Sequence, residues 1–222
     1  MEILIRIGKF FFVILAVLSV ARILISERRN YQFVWSIWRR FRIRMLFECL
    51  VIVTLTIVVS TFLFYIPGFN YGWINFFFHG EAGHVLIKPI IEESKSNNAL
   101  SHLMVFIFFI ALALVLPFLA HNEEKIFRQG CNDWSSITRQ SIKFGLVHCV
   151  FAGVPLAAGI ALIIPGFFFG FKYKGAFERN VEIMDSGQAA EEALMESTTY
   201  HTMYNMILIS SILAELAVRI GT

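Results

Sequence analysis

Three short patterns in this chain bring together side chains that can move protons or stabilise charge. Glu123 and Glu124 precede Arg128, and Glu124 and Arg128 lie four apart, the favourable order for an ion pair on one helix face. Successive residues differ by about 100° of helix rotation, so Glu123 points off that face and is free to offer its carboxylate to an interior cavity as a general base. Phe144 and His148, also four apart, place an aromatic ring and an imidazole on one face, with Gly145 permitting close approach of another helix. His201 and Asn205 project together from a last helix. Each pattern also has a plain structural reading. The first is then an interfacial, salt-bridged helix start, the second an interhelical histidine, and the third a pair tying neighbouring helices at around 1 kcal/mol.

The elements that position these groups must be membrane helices. The 222 residues are 57% hydrophobic, with 24 Phe and only 16% charged residues, where a soluble domain carries roughly 25%. A mean hydropathy of +0.68 leaves too little polar surface to cover a water-facing globule. A soluble enzyme, a disordered chain and a disulfide scaffold are thereby excluded. Cys49, Cys131 and Cys149 are too few and too widely spaced for a disulfide or zinc framework. The net charge of +3 comes from an arginine-rich stretch beside an apolar run, which orients a membrane protein, so lipid and not nucleic acid is the expected partner.

Crossing the roughly 30 Å hydrocarbon core takes about 20 apolar residues. Residues 10–25, extended by 3–7, approach this, and read as a retained anchor because no small-residue cleavage pattern follows. Arg28, Arg29, Arg39, Arg40, Arg42 and Arg44, with Trp35 and Trp38, mark a cytoplasmic interface, partly as an interfacial helix. Residues 45–66 form a second span, and 69–98 an extracytoplasmic segment. Residues 100–120 form a third span that delivers Glu123 to the cytoplasmic boundary. Gly153-Val154-Pro155 and Pro165-Gly166 interrupt residues 144–171, which read as two helices in a hairpin. A polar insert over 175–192 precedes the last helix, which runs to Ile220. The expectation is an all-α, polytopic integral membrane bundle of about six transmembrane helices with both termini extracytoplasmic. It is a single membrane domain over 1–222, with N-terminal helices and loop over 1–99 and a core over 100–222.

His79-Gly80-Glu81-Ala82-Gly83-His84 imitates a zinc-protease motif, but its histidines are five apart and do not share a helix face as residues four apart do. It reads as an ordinary extracytoplasmic loop.

Glu-Glu-x-x-x-Arg, then Phe-x-x-x-His, then His-x-x-x-Asn, in this order and each in the cytoplasmic half of a span, resembles the CPBP family, also called Abi or CAAX proteases. These are intramembrane endopeptidases typified by the Ras-converting enzyme. The resemblance covers residues 100–220, including the helix end at Phe169-Gly170-Phe171-Lys172-Tyr173. Three features depart from the family's pattern: Gln129 separates Arg128 from Gly130, Tyr200 stands where a small residue usually precedes the third-motif histidine, and the insert over 175–192 separates the second and third motifs more than is usual. The resemblance implies Glu123 as the base that activates water, supported by Glu124 and Arg128. It implies His148 and His201 as groups that hold water or polarise the carbonyl, and Asn205 as oxyanion donor. Two His and a carboxylate also resemble a catalytic zinc set, so a bound metal would fall to Glu123, His148 and His201, and the cofactor stays open between Zn2+ and none. The implied activity is hydrolysis of a membrane-associated peptide or protein, with the site towards the cytoplasmic side of what is expected to be a bacterial cytoplasmic membrane. A catalytically silent scaffold or bacteriocin-immunity protein of the same fold is the alternative, and a small transporter is disfavoured because the halves show no inverted repeat.

Overall fold

The computed structural model describes residues 14, 17–23, 25–26, 30–72 and 99–221. Among them every regular element is a helix: α1 (Tyr31–Arg39), α2 (Ile43–Phe64), α3 (Ala99–Phe127), α4 (Trp134–Phe151), α5 (Leu156–Ala161), α6 (Ile163–Asn180) and α7 (Ser186–Gly221). Residues 17–23 are helical as well. Most of the first expected span, Arg28, Arg29 and the His79–His84 motif lie outside the described residues.

Among the described residues, three helical stretches are long and apolar enough to cross a membrane: α2, the Val105–Phe127 part of α3, and Leu156–Asn180 through α5 and α6. The chain is therefore a membrane protein. Only 17% of the α2 span is buried within the protein, against 44% for each of the others, so α2 forms an outer wall. The centre belongs to α7, which packs on α6, α3 and α2 and touches α1. It lacks a long apolar run because its polar side chains face protein: Ser197, Thr198, Thr199 and Thr202 are fully buried. At 36 residues it measures about 54 Å, longer than the hydrocarbon core.

Local chemistry explains where the helices stop. Asp133 caps α4, its carboxylate accepting from the Ser136 N–H at 2.9 Å, which satisfies one of the donors a helix start leaves free. The expected break at Gly153-Val154-Pro155 is present. Gly153 takes φ +68°, a left-handed conformation suited to glycine, and the Ala152 and Val154 N–H groups both return to the His148 carbonyl. Pro165 marks a second, lesser break: it offers no N–H to the Ala161 carbonyl four residues back, and α5 ends at Ala161 while α6 begins at Ile163. It sits in the first turn of α6, where a missing N–H costs little. The polar stretch 175–192 is also mostly helical, with α6 continuing to Asn180 and α7 beginning at Ser186.

A glycine seam brings α4 against α5 and α6. A Cβ on Gly145 would lie 2.3 Å from the Gly159 carbonyl oxygen, and one on Gly170 would lie 2.7 Å from the Ile137 side chain. The space so closed is filled by a cluster that includes Phe127, Phe144, Phe169, Tyr200 and Tyr204 together with Met45, Cys49 and Val53 of α2. In lipid these rings gain close packing and not a transfer out of water. This cluster is the packed base on which the polar residues sit.

Candidate active site

Glu123 and Glu124 occupy the last turn of α3, and adjacent positions give them opposite fates. Glu124 is fully buried, as is Arg128, whose Nε lies 3.5 Å from Glu124 Oε2. The pair is a charge contact and not a formed hydrogen bond, since Arg128 Nε and Nη2 have no hydrogen-bond partner among the described residues. The guanidinium instead lies over the Phe144 ring at 5.2 Å and its Nη1 donates to the Phe127 carbonyl at 3.3 Å. An exposed interfacial ion pair at a helix start is thus ruled out: the pair is sealed in the core at a helix end.

Glu124 also reaches α7. Its Oε1 accepts from His201 Nδ1 at 2.9 Å. The Ser197 hydroxyl lies between Glu124 Oε2 and the Phe169 carbonyl, with one proton for two acceptors. Glu124 therefore ties α3 to α7 and fixes the tautomer of His201, leaving the lone pair on Nε2. The imidazole stacks on Phe169, with centroids 4.5 Å apart and planes 19° apart, and meets the edge of Phe144 at 5.7 Å.

His148 is held in the same way by a different group. Its Nδ1 donates to the Phe144 carbonyl at 2.6 Å, one turn back on α4, so its Nε2 also keeps a lone pair. Phe144 thus serves both imidazoles and the guanidinium, its ring packed against them and its carbonyl orienting one. Both free nitrogens converge on the carboxylate left over: Glu123 Oε2 is 3.8 Å from His148 Nε2 and 3.9 Å from His201 Nε2. That oxygen is buried and has no hydrogen-bond partner among the described residues, although the side chain as a whole is 37% exposed.

These groups open onto a cavity of about 650 Å³. Asn205, one helical turn beyond His201, lines it together with Glu123, His148 and His201. The rest of its wall is largely apolar, drawn from Phe108, Leu112 and Leu116 of α3, Leu208 and Ile212 of α7, and Val20. The structure therefore brings all six candidate residues together, four on the cavity and Glu124 with Arg128 behind them. Ser197 and the stacking ring of Phe169 complete the arrangement. Ser197 lies four residues before His201, so extending the four-residue spacing backwards along α7 would have found it.

The donor chemistry suits zinc, with two Nε2 lone pairs, a carboxylate oxygen, and both Nδ1–H groups held by acceptors. The separations of 3.8 and 3.9 Å nevertheless exceed the ~3.4 Å between tetrahedral ligand atoms placed at ~2.1 Å. Among the described residues, no three His, Cys, Asp or Glu groups surround a metal position. As arranged, the residues do not fit a metal ion, whereas a water bridging Glu123 Oε2 to either Nε2 at ~2.8 Å fits these separations. No family model matches the chain, and no similarity to a curated protein or a solved structure is found.

Proposed function

We propose that the chain is an intramembrane endopeptidase of the kind the CPBP resemblance implies, hydrolysing a peptide bond of a membrane-associated peptide or protein. The observation that carries this reading is the convergence of an unpartnered, buried carboxylate oxygen with two imidazole lone pairs at 3.8 and 3.9 Å, on a cavity that Asn205 shares. In this reading α4, α7 and the N-terminal apolar run cross the membrane along with the three apolar stretches, giving six spans. The site faces the cytoplasmic side of a bacterial cytoplasmic membrane.

The reaction follows from the groups present. A water that donates one proton to an imidazole Nε2, of His148 or of His201, gives the other to Glu123 as its oxygen attacks the peptide carbonyl carbon. The Asn205 amide donates to the developing oxyanion, where a low-dielectric wall strengthens that bond. The tetrahedral intermediate collapses, the C–N bond breaks, and Glu123 returns the proton to the leaving nitrogen. Glu124 and Arg128 act through His201, which they hold in place. The apolar remainder of the cavity favours apolar side chains flanking the cut bond.

Mapping new peptide N-termini in membranes of cells that express the native chain or Glu123→Gln tests this. New termini that depend on the native chain and vanish in the variant are expected. Identical terminus sets overturn the reading, and a phenotype of the native chain that survives Glu123→Ala would point to the scaffold.

A further inference from the structure

A second recess of about 510 Å³ lies outside the cavity just described, bounded by Arg40, Arg42, Arg44, Lys172, Arg179 and Tyr200. Its charges do not cancel. Arg40 pairs with Glu192 at 2.9 and 3.1 Å, and Arg179 pairs with Glu196. One carboxylate, Glu48, serves two cations, with Arg44 Nε at 2.8 Å and Lys172 Nζ at 2.5 Å. Among the described residues Arg42 has no ion pair and is exposed. Five cations thus face three carboxylates. The Arg44–Glu48 pair is worth little, since the Arg44 side chain is 85% exposed, whereas Lys172 and Glu48 are mostly buried, at 14% and 22% exposure.

The recess sits where two spans leave the hydrocarbon. Arg42 directly precedes the α2 span, and Arg179 is the next-to-last residue of the α6 span. Beneath Arg44 runs an apolar stripe with helical spacing, Phe47, Val51, Leu55, Val58 and Phe62, all exposed. Residues three and four apart share a helix face, so one line along α2 carries a cation at its head and lipid-facing apolar side chains below. A soluble anion would use only the head of this line. A phospholipid uses both, its phosphate in the recess and an acyl chain along the stripe.

We propose that this recess binds the phosphate of an anionic phospholipid headgroup, held by Arg42 and Arg44, with an acyl chain lying along α2. The site stands independently of the endopeptidase reading. Basic pockets at the cytoplasmic ends of membrane helices suit such headgroups, at about 1 kcal/mol per cation.

The test uses the purified full chain reconstituted in phosphatidylcholine vesicles carrying spin-labelled phosphatidylglycerol or spin-labelled phosphatidylcholine. The motionally restricted fraction is read by electron spin resonance. Preferential restriction of phosphatidylglycerol is expected, falling roughly fivefold in Arg42→Gln and further in Arg42→Gln/Arg44→Gln. Arg42→Gln breaks no ion pair and keeps the test open should the double variant unfold. The charge-matched control Arg139→Gln/Lys143→Gln, on the exposed side of α4, is expected to retain the preference. Equal restriction of both lipids, a preference that survives Arg42→Gln/Arg44→Gln, or an equal loss in the control overturns the proposal. Displacement of the labelled lipid by millimolar inorganic phosphate also overturns it, assigning the recess to a soluble anion.

Discussion

Replacing Gly145 with alanine tests whether the α4 seam sets the site. The new Cβ would lie 2.3 Å from the Gly159 carbonyl oxygen and 2.9 Å from the Ile163 nitrogen, where an ordinary contact begins near 3.4 Å. Both obstacles are backbone atoms, so no side-chain rotation relieves them and α4 must move by about 1 Å. Overpacking of this kind costs about 1–3 kcal/mol, or some 2–12 °C of thermal midpoint for a chain of this size. His148 lies three residues along the same helix and moves with it. If His148 acts as proposed, a displacement of that size costs on the order of 100-fold in rate. Gly175→Ala is the matched control, because its Cβ would meet only the flexible Arg179 side chain at 3.5 Å and it gains up to ~1 kcal/mol of helix propensity. Thermal unfolding in detergent should place the two variants on opposite sides of the native protein. A Gly145→Ala variant as stable as native would refute the close-packed seam.

Further outcomes follow from the buried pair and the α4 cap. Arg128→Ala strands a buried carboxylate and should cost about 3–5 kcal/mol in denaturant unfolding. Arg128→Ala together with Glu124→Ala should cost less than the two single changes combined. Asp133 is held below the ordinary aspartate range by the Ser136 N–H. Its folded pKa is depressed, so its contribution is complete above the unfolded value of ~3.9 and is lost as pH falls through the lower folded value. Asp133→Asn keeps a good cap and should lose less thermal stability than native between pH 7 and pH 3.

Much of this was legible because the signals are local. Composition alone demands membrane helices, Gly153-Val154-Pro155 announces a turn, and four-residue spacings assign side chains to helix faces. Glu123's freedom to face a cavity follows from its being one position off the Glu124–Arg128 face. Other features depend on tertiary partners. Residues 175–192 are polar, yet Gln188, Ala189, Ala190, Glu191, Glu192, Ala193 and Leu194 are strong helix formers, and α7 carries them beyond the membrane boundary. Pro165 announces the division between α5 and α6, but not that the two continue as one apolar stretch across Leu162. Tyr200, a departure from the family's pattern, is accommodated by a neighbourhood that no spacing reveals: Lys172 lies 4.4 Å over its ring and Phe168 packs edge-on at 5.4 Å. Ser197's role similarly depends on α3 and α6 meeting α7 at one point.

The central claim is a division of labour between adjacent carboxylates, and comparing Glu123→Gln with Glu124→Gln tests it most directly. Each variant is measured for cleavage of a substrate identified from the native chain's new termini, and for its thermal midpoint. Glu123 Oε2 makes no hydrogen bond among the described residues, so Glu123→Gln should abolish cleavage and leave the midpoint nearly unchanged. Glu124→Gln should lower the midpoint sharply, because it removes the charge that balances buried Arg128 and orients His201. A Glu123→Gln variant that still cleaves, or one that loses as much stability as Glu124→Gln, would contradict the account.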